Sequence, residues 1–344
     1  MSNRPFIAAR VEEFIDRRVE RLLRAMGWQE KVICYTGYGT KDSIRVLGRV
    51  VLVPRWSRTG IGKATEDLIK RRGFRNFFST ACVRANVNIA VGERVVTTMT
   101  DRGGYIDHRI RNHELQPGWQ RVRVSTDSSK VSTGQIHVVS DDITFGLVSD
   151  IDDTIISTWL PRPMIAAWNS FIRDESARQS MPGMARMYTT LLAEHPGAPV
   201  MYVSTGAWNT HGFLSRFLKR HGYPSGPMLL TDWGPTNTGW FRSGMAHKAE
   251  TLLQLTSDFP NISWVLVGDD GQHDPVIYAN FARLAPDRVR AIAIRQLTPT
   301  EQVLSHGTTT VLPEEQEADA DTPWVVAPDG RGLLAGLRGL VDPL

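Results

Sequence analysis

The sequence predicts an α/β fold: a mainly parallel, doubly wound sheet, preceded by a small antiparallel β-sandwich domain and an N-terminal helix. From Thr144 onward, five short apolar runs alternate with stretches of helical periodicity. They are Phe145–Ser149, Val200–Ser204, Met228–Leu230, Trp264–Val267 and Val289–Ile294. Uninterrupted apolar runs suit strands buried on both faces, and strand–helix alternation marks a parallel sheet. Residues 32–144 break instead into short β-rich runs, among them Ile44–Pro54, Val83–Val91, Glu93–Met99 and Trp119–Ser125. Gly37-Tyr38-Gly39, Asp101-Arg102-Gly103-Gly104 and Gln116-Pro117-Gly118 read as the turns between such runs. At the start, Phe6, Val11, Phe14, Ile15, Val19, Leu22 and Leu23 recur at helical spacing. Residues 6–26 therefore read as an amphipathic helix, and a charged face of both signs fits docking on the next domain better than lying on a membrane. Pro313–Pro323, rich in Glu, Asp and Ala, reads as an exposed linker, and Gly330–Val341 as a last helix. The expected division is residues 1–30 (helix), 31–143 (β-rich), 144–300 (α/β) and 301–344 (linker and helix).

Composition narrows the function classes. The chain has 344 residues, 41% hydrophobic and 22% charged, with a formal net charge of +4. That is ordinary for a globular protein and does not call for a nucleic-acid partner. Cys34 and Cys82 stand at no metal-like spacing, so neither a disulfide framework nor a cysteine zinc site is expected. Arg4, Arg10, Arg17, Arg18, Arg21 and Arg24 interrupt the first residues, so no signal-peptide core is read there. No run approaches the roughly 18 apolar residues needed to span a bilayer. A cytoplasmic protein is expected, one that meets membranes only from the surface. The segment 55–75 carries Arg55, Arg58, Lys63, Lys70, Arg71, Arg72 and Arg75 against Glu66 and Asp67. Such a segment suits peripheral contact with an anionic membrane surface, although alone it reads as a solvated helix or loop.

Four short sequences at strand ends or a helix start carry the candidate chemistry. They are Asp150-Ile151-Asp152-Asp153-Thr154, Tyr202-Val203-Ser204-Thr205-Gly206, Ala246-His247-Lys248 and Val267 through Asp274. In an open α/β sheet such points converge on one crevice at the carboxyl edge. Alone, an Asp-x-Asp triplet is usually a solvated turn. A calcium loop counted from Asp150 fails, because Ile155 and Pro161 stand where glycine and glutamate are required. Together the set has complementary parts. An anionic nucleophile attacking a phosphate ester needs a cation beside it. Asp150 would attack phosphorus, and Asp152 would protonate the leaving alkoxide and then activate water. Asp150 and Asp269 would hold Mg2+, while Ser204 and Lys248 would receive the phosphoryl charge.

This ordered set resembles the haloacid dehalogenase superfamily of phosphohydrolases. The resemblance implies a doubly wound sheet of that superfamily's type, an aspartyl-phosphate at Asp150 and acid/base duty for Asp152. It further implies phosphoryl binding by Ser204, a fixed cation at Lys248, metal ligation by Asp269 and supporting roles for Thr154 and Asp274. The Asp152 backbone carbonyl would complete the protein's Mg2+ ligands. A narrower resemblance is to the actin-patch phosphatidate phosphatase family, carried by Asp150 through Ile155, Tyr202-Val203-Ser204, Trp208, His247-Lys248, Gly268-Asp269 and Asp274 through Tyr278. Gly37-Tyr38-Gly39 and Gly48-Arg49-Val50 are similar as well. Thr205-Gly206-Ala207 and Asp270 depart from that family's pattern, which bears on substrate more than on chemistry.

The resemblance implies phosphatidate as substrate. The interval between Thr154 and Tyr202 is too short for a large inserted domain, so an open crevice is expected. Trp159, Leu160, Pro161, Met164, Ile165, Trp168, Phe171 and Ile172 follow at largely helical spacing. Trp159, Met164 and Trp168 would face acyl chains, although such a stripe more often packs into the core. Two other readings stand: a phosphatase for a soluble phosphomonoester or phosphoprotein, and a catalytically vestigial binding or scaffold protein. Retention of all four motif groups argues against the last.

Overall fold

A computed structural model describes residues 18–54, 80–157, 179–231, 244–271, 273–306 and 322–341. The basic segment 55–75, the apolar stripe of Trp159, Met164 and Trp168, residues 1–17 of the first helix and most of the acidic linker lie outside the described residues. The described residues fall into two compact units, one ending at Ser140 and the other beginning at Asp141.

The first unit is built from β1 (Gln29–Cys34), β2 (Gly37–Gly39), β3 (Ser43–Val53), β4 (Thr80–Ala81), β5 (Asn86–Val91), β6 (Arg94–Met99), β7 (Tyr105–Arg111), β8 (Gly118–Thr126) and β9 (Ser132–Val138). These strands hydrogen-bond into one sheet, in the order β1-β3-β2-β9-β8-β5-β6 with β4 and β7 also on β3. All pairs are antiparallel except β2 with β9. This corrects two expectations. The strands are hydrogen-bonded into one continuous sheet rather than two separate ones, and Gly37-Tyr38-Gly39 is a buried strand rather than a turn. The two corrections share a cause, since β2 lies between β3 and β9 and joins the two halves. A Cβ on Gly37 would stand 2.3 Å from the Arg45 carbonyl oxygen, and one on Gly39 would stand 2.2 Å from that of Ser43. The glycines serve close strand approach, not chain reversal.

Alternation along β8 sets its two faces: Val122, Val124 and Thr126 are buried, while Trp119, Arg121 and Arg123 are exposed. Val32, Ile44, Val50, Leu52, Val87, Ile89 and Ile136 form the core, against which Leu23 and Trp28 pack. Residues 18–25 are helical. Their Arg24 pairs with Glu20 at 2.8 Å and also with the buried Glu30 of β1.

The second unit carries six strands: β10 (Phe145–Asp150), β11 (Val200–Ala207), β12 (Met228–Thr231), β13 (Ser263–Asp269), β14 (Val289–Arg295) and β15 (Trp324–Ala327). Their order is β12-β11-β10-β13-β14-β15, and every pair is parallel. The helices that follow them in turn are α1 (Met184–Glu194), α2 (His211–Arg220), α3 (Gly244–Asp258), α4 (Asp274–Leu284), α5 (Pro299–His306) and α6 (Gly330–Leu337). All six residues of β10 are buried, as its unbroken apolar run requires of a central strand. The strand β15 was not expected from the sequence, where its four residues follow directly on the acidic stretch. The last helix forms despite its glycines, and Asp329 caps it by accepting from the Arg331 and Gly332 backbone N–H groups.

Candidate active site

The carboxyl ends of β10, β11 and β13 and the start of α4 bring the motif residues together. Asp150 is the last residue of β10 and Asp269 the last of β13, while Asp274 opens α4. Lys248 lies inside α3, which begins five residues earlier than the helical run expected at Ala249. All four are buried: Asp150 and Lys248 are 2% and 3% exposed, and Asp269 and Asp274 are 0% exposed. The Lys248 ammonium lies 2.7 Å from Asp150 Oδ1 and 2.5 Å from Asp274 Oδ1. Thr154 Oγ1 reaches Asp150 Oδ2 and Asp269 Oδ2, each at 3.3 Å. The Gly271 N–H donates to Asp269 Oδ1 at 2.7 Å. Gly268 makes this packing possible, since a Cβ there would lie 2.5 Å from Asp274 Oδ2.

Asp152 faces a different partner. The Ser204 hydroxyl donates to Asp152 Oδ2 at 2.9 Å and itself accepts from the Gly206 N–H at 2.9 Å. The β11–β12 register shifts between Val203 and Ala207, so Ser204 sits in an irregular stretch of strand. Such irregularities re-aim side chains at sites. Asp153 has φ of 58°, a left-handed conformation in a non-glycine residue. It turns the chain back, and its N–H bonds the Ile156 carbonyl at 2.9 Å.

Electrostatics divide the cluster. Burial pushes the Asp150 carboxyl well above its ordinary range; Lys248 pulls it back, and Asp274 and Asp152 push it up again. Burial likewise raises Asp269, with Asp274 and Asp150 adding repulsion. Burial works against the Lys248 ammonium, yet Asp150 and Asp274 outweigh it and hold its pKa above the ordinary lysine value.

The donor set fits a hard divalent cation. Asp150, Asp269 and Asp274 each offer a carboxylate oxygen within 4.8 Å of the others. With all three ionised, Lys248 would offset one charge and leave two for a cation to meet. Asp274 Oδ2 is buried with no hydrogen-bond partner among the described residues. The Asp152 side chain stands outside this cluster, which leaves its backbone carbonyl as the group the resemblance would bring to a cation.

Arg295 and Glu301, which lie outside the motifs, and Asp270, to which the motifs gave no role, support the site. The buried Arg295, last in β14, donates from Nη1 to the Asp153 carbonyl at 2.6 Å. Its Nη2 lies 2.7 Å from Glu301 Oε1. Asp270 accepts from the Leu297 N–H at 2.8 Å, tying the loop after β13 to the end of β14. One sequence signal was present: Thr298-Pro299-Thr300-Glu301 fits a capping box directly after Arg295.

Fold and site together define an α/β domain with a buried carboxylate–lysine cluster at the carboxyl edge of a parallel sheet. Within that class, residues 145–296 match the family described as phosphatidate phosphatase APP1, catalytic domain. The phosphatidate phosphatase APP1 of Saccharomyces cerevisiae is 32% identical over 154 residues, which cover 44% of this chain and 25% of that protein. An uncharacterized protein of Schizosaccharomyces pombe is 25% identical over 152 residues, again 44% of this chain and 25% of its own length. A carbohydrate acetylesterase from Xanthomonas citri superposes with a TM-score of 0.30 at 9% identity, covering 89% of this chain and 72% of its own. A superposition at that level defines no common fold. No described helix is long and apolar enough to cross a membrane.

Proposed function

We propose that the second unit is a Mg2+-dependent phosphatase of the haloacid dehalogenase type, acting on phosphatidate through an aspartyl-phosphate. The observation that carries this reading is the ion pair of the buried Lys248 with Asp150 and Asp274, beside Asp269. A lysine paired in this way stays charged, and a carboxylate beside it can approach an anionic ester. Substrate identity rests on the family match and on the yeast relative's name.

Asp150, Asp269 and Asp274, with the Asp152 carbonyl, would hold Mg2+, which supplies charge neutralisation for carboxylate and phosphoryl oxygens. The Asp150 carboxylate forms a bond to phosphorus as the bond to the diacylglycerol oxygen breaks. Asp152 gives that oxygen its proton. It then takes a proton from water, whose oxygen attacks the phosphoryl group and restores Asp150. Ser204 holds the Asp152 carboxylate before substrate arrives and turns to a phosphoryl oxygen afterwards. Lys248 opposes the burial that favours the neutral form of Asp150. The reading for lipid also takes in, from sequence alone, contact of acyl chains with Trp159, Met164 and Trp168 and of an anionic surface with Lys70, Arg71 and Arg72.

Phosphate release from phosphatidate in mixed micelles tests it, beside soluble phosphomonoesters and a phosphopeptide, each with Mg2+ or with chelator. Release that prefers phosphatidate, requires Mg2+ and disappears in Asp150→Asn is expected. Faster turnover of a soluble ester would overturn the lipid assignment, and no turnover of any substrate would overturn the enzymatic one.

A further inference from the structure

The loop that presents Asp152 is held from two strands away. We infer that Arg295 is a positioning residue, fixing Asp152 for proton transfer by clamping the Asp153 carbonyl; this rests on the phosphatase reading above. Arg295 ends β14, which is separated from β10 by β13, yet its Nη1 donates to the Asp153 carbonyl at 2.6 Å. Asp153 is the left-handed residue next to Asp152, so rotation of its peptide would re-aim the Asp152 carboxylate. Left-handed backbone in a non-glycine residue persists only where its surroundings over-determine it. The clamp is one restraint and the Ile156 carbonyl on the Asp153 N–H is another.

The far end of the guanidinium is fixed as firmly. Nη2 donates to Glu301 Oε1 at 2.7 Å and Oε2 at 2.9 Å. Glu301 is itself held, because its Oε2 accepts from the Thr298 N–H at 2.8 Å while the Glu301 N–H donates to Thr298 Oγ1 at 3.3 Å. That reciprocal pair is a capping box at the start of α5. The Asp270 N–H bonds the Arg295 carbonyl at 3.1 Å, joining the clamp to the strand end that carries Asp269. A planar, permanently charged fork suits this bridging task, which a lysine would fill at one end only.

The test separates positioning from folding by the leaving group. A phosphate ester with a poor alkoxide leaving group needs Asp152 as acid, whereas p-nitrophenyl phosphate, whose phenolate leaves unaided, needs it far less. Wild type, Arg295→Ala, Arg295→Lys, Glu301→Gln and Asp152→Asn are compared on glycerol 3-phosphate or phosphatidate micelles, whichever wild type turns over faster, and on p-nitrophenyl phosphate. For Arg295→Ala, kcat is expected to fall about 100-fold on the alkyl ester and less than about tenfold on the aryl ester. KM should change little, and Asp152→Asn should show the same discrimination between esters. Guanidinium ion at millimolar concentration should restore part of the loss. If Arg295→Ala does not fold, Arg295→Lys and Glu301→Gln decide by the same ratio of ratios. Equal losses on both esters, or a change confined to KM, would overturn the positioning role while leaving the phosphatase reading intact. Release absent in wild type or undiminished in Asp150→Asn overturns the phosphatase reading, and the positioning role with it.

Discussion

Each unit buries carboxylate, and the two treat it in opposite ways. In the first unit, Glu30 of β1 is 6% exposed and meets Arg24 and the Thr126 hydroxyl. Burial would raise its pKa, but those hydrogen bonds outweigh it and hold Glu30 below the ordinary carboxylate value. In the second unit, Asp150, Asp269 and Asp274 share one lysine, and Asp150 and Asp269 are held well above the ordinary range. A satisfied buried charge fastens a helix to a sheet. An unsatisfied group of them costs stability, and proteins keep such groups where a ligand completes the set.

The contrast can be broken by substitution. Asp150→Asn should reduce phosphate release by at least about 10⁴-fold, as loss of a nucleophile does. The same change removes one of the crowded charges, so the metal-free melting temperature should hold steady or rise. Lys248→Met should do the reverse to stability, costing about 3–5 kcal/mol by stranding buried carboxylates without their cation, measured by urea unfolding. Glu30→Ala should cost about 1–3 kcal/mol, because Arg24 and Thr126 lose their acceptor, with phosphate release per folded molecule unchanged.

Dependence on pH should separate the units by sign. Glu30, whose folded pKa is lowered, contributes stability above its ordinary value of 4.5 that is lost as pH falls through the folded pKa. Asp150 and Asp269, whose folded pKa values are raised from 3.8, favour the protonated folded state. Their effect is to weaken the metal-free fold as pH rises above 3.8 towards those raised values. A cation must displace those protons, so Mg2+ affinity should fall as pH is lowered from neutrality, beginning above the ordinary carboxylate range. Calorimetric titration at several pH values reads this directly.

Sequence order made much of the site visible. Asp150, Ser204 and Asp269 could be placed at strand ends because apolar runs announce buried parallel strands, and the structure brings them together with Asp152, Lys248 and Asp274. What stayed hidden was long-range. Arg295 meets the Asp153 carbonyl across 142 residues, and a backbone acceptor leaves no trace in residue type. Gly37 and Gly39 read as turn residues because glycine's two uses, chain reversal and close strand approach, look alike in sequence. Trp324–Ala327 is too short for a periodicity to show, and only pairing with β14 makes it a strand.

Acid quenching of the enzyme during turnover of radiolabelled phosphatidate with Mg2+ tests the central claim most directly. Label held covalently by wild type, lost in mild alkali and absent from Asp150→Asn, is the result this site predicts. Phosphate release at the same rate with no label on the protein, or label that persists in Asp150→Asn, would contradict it.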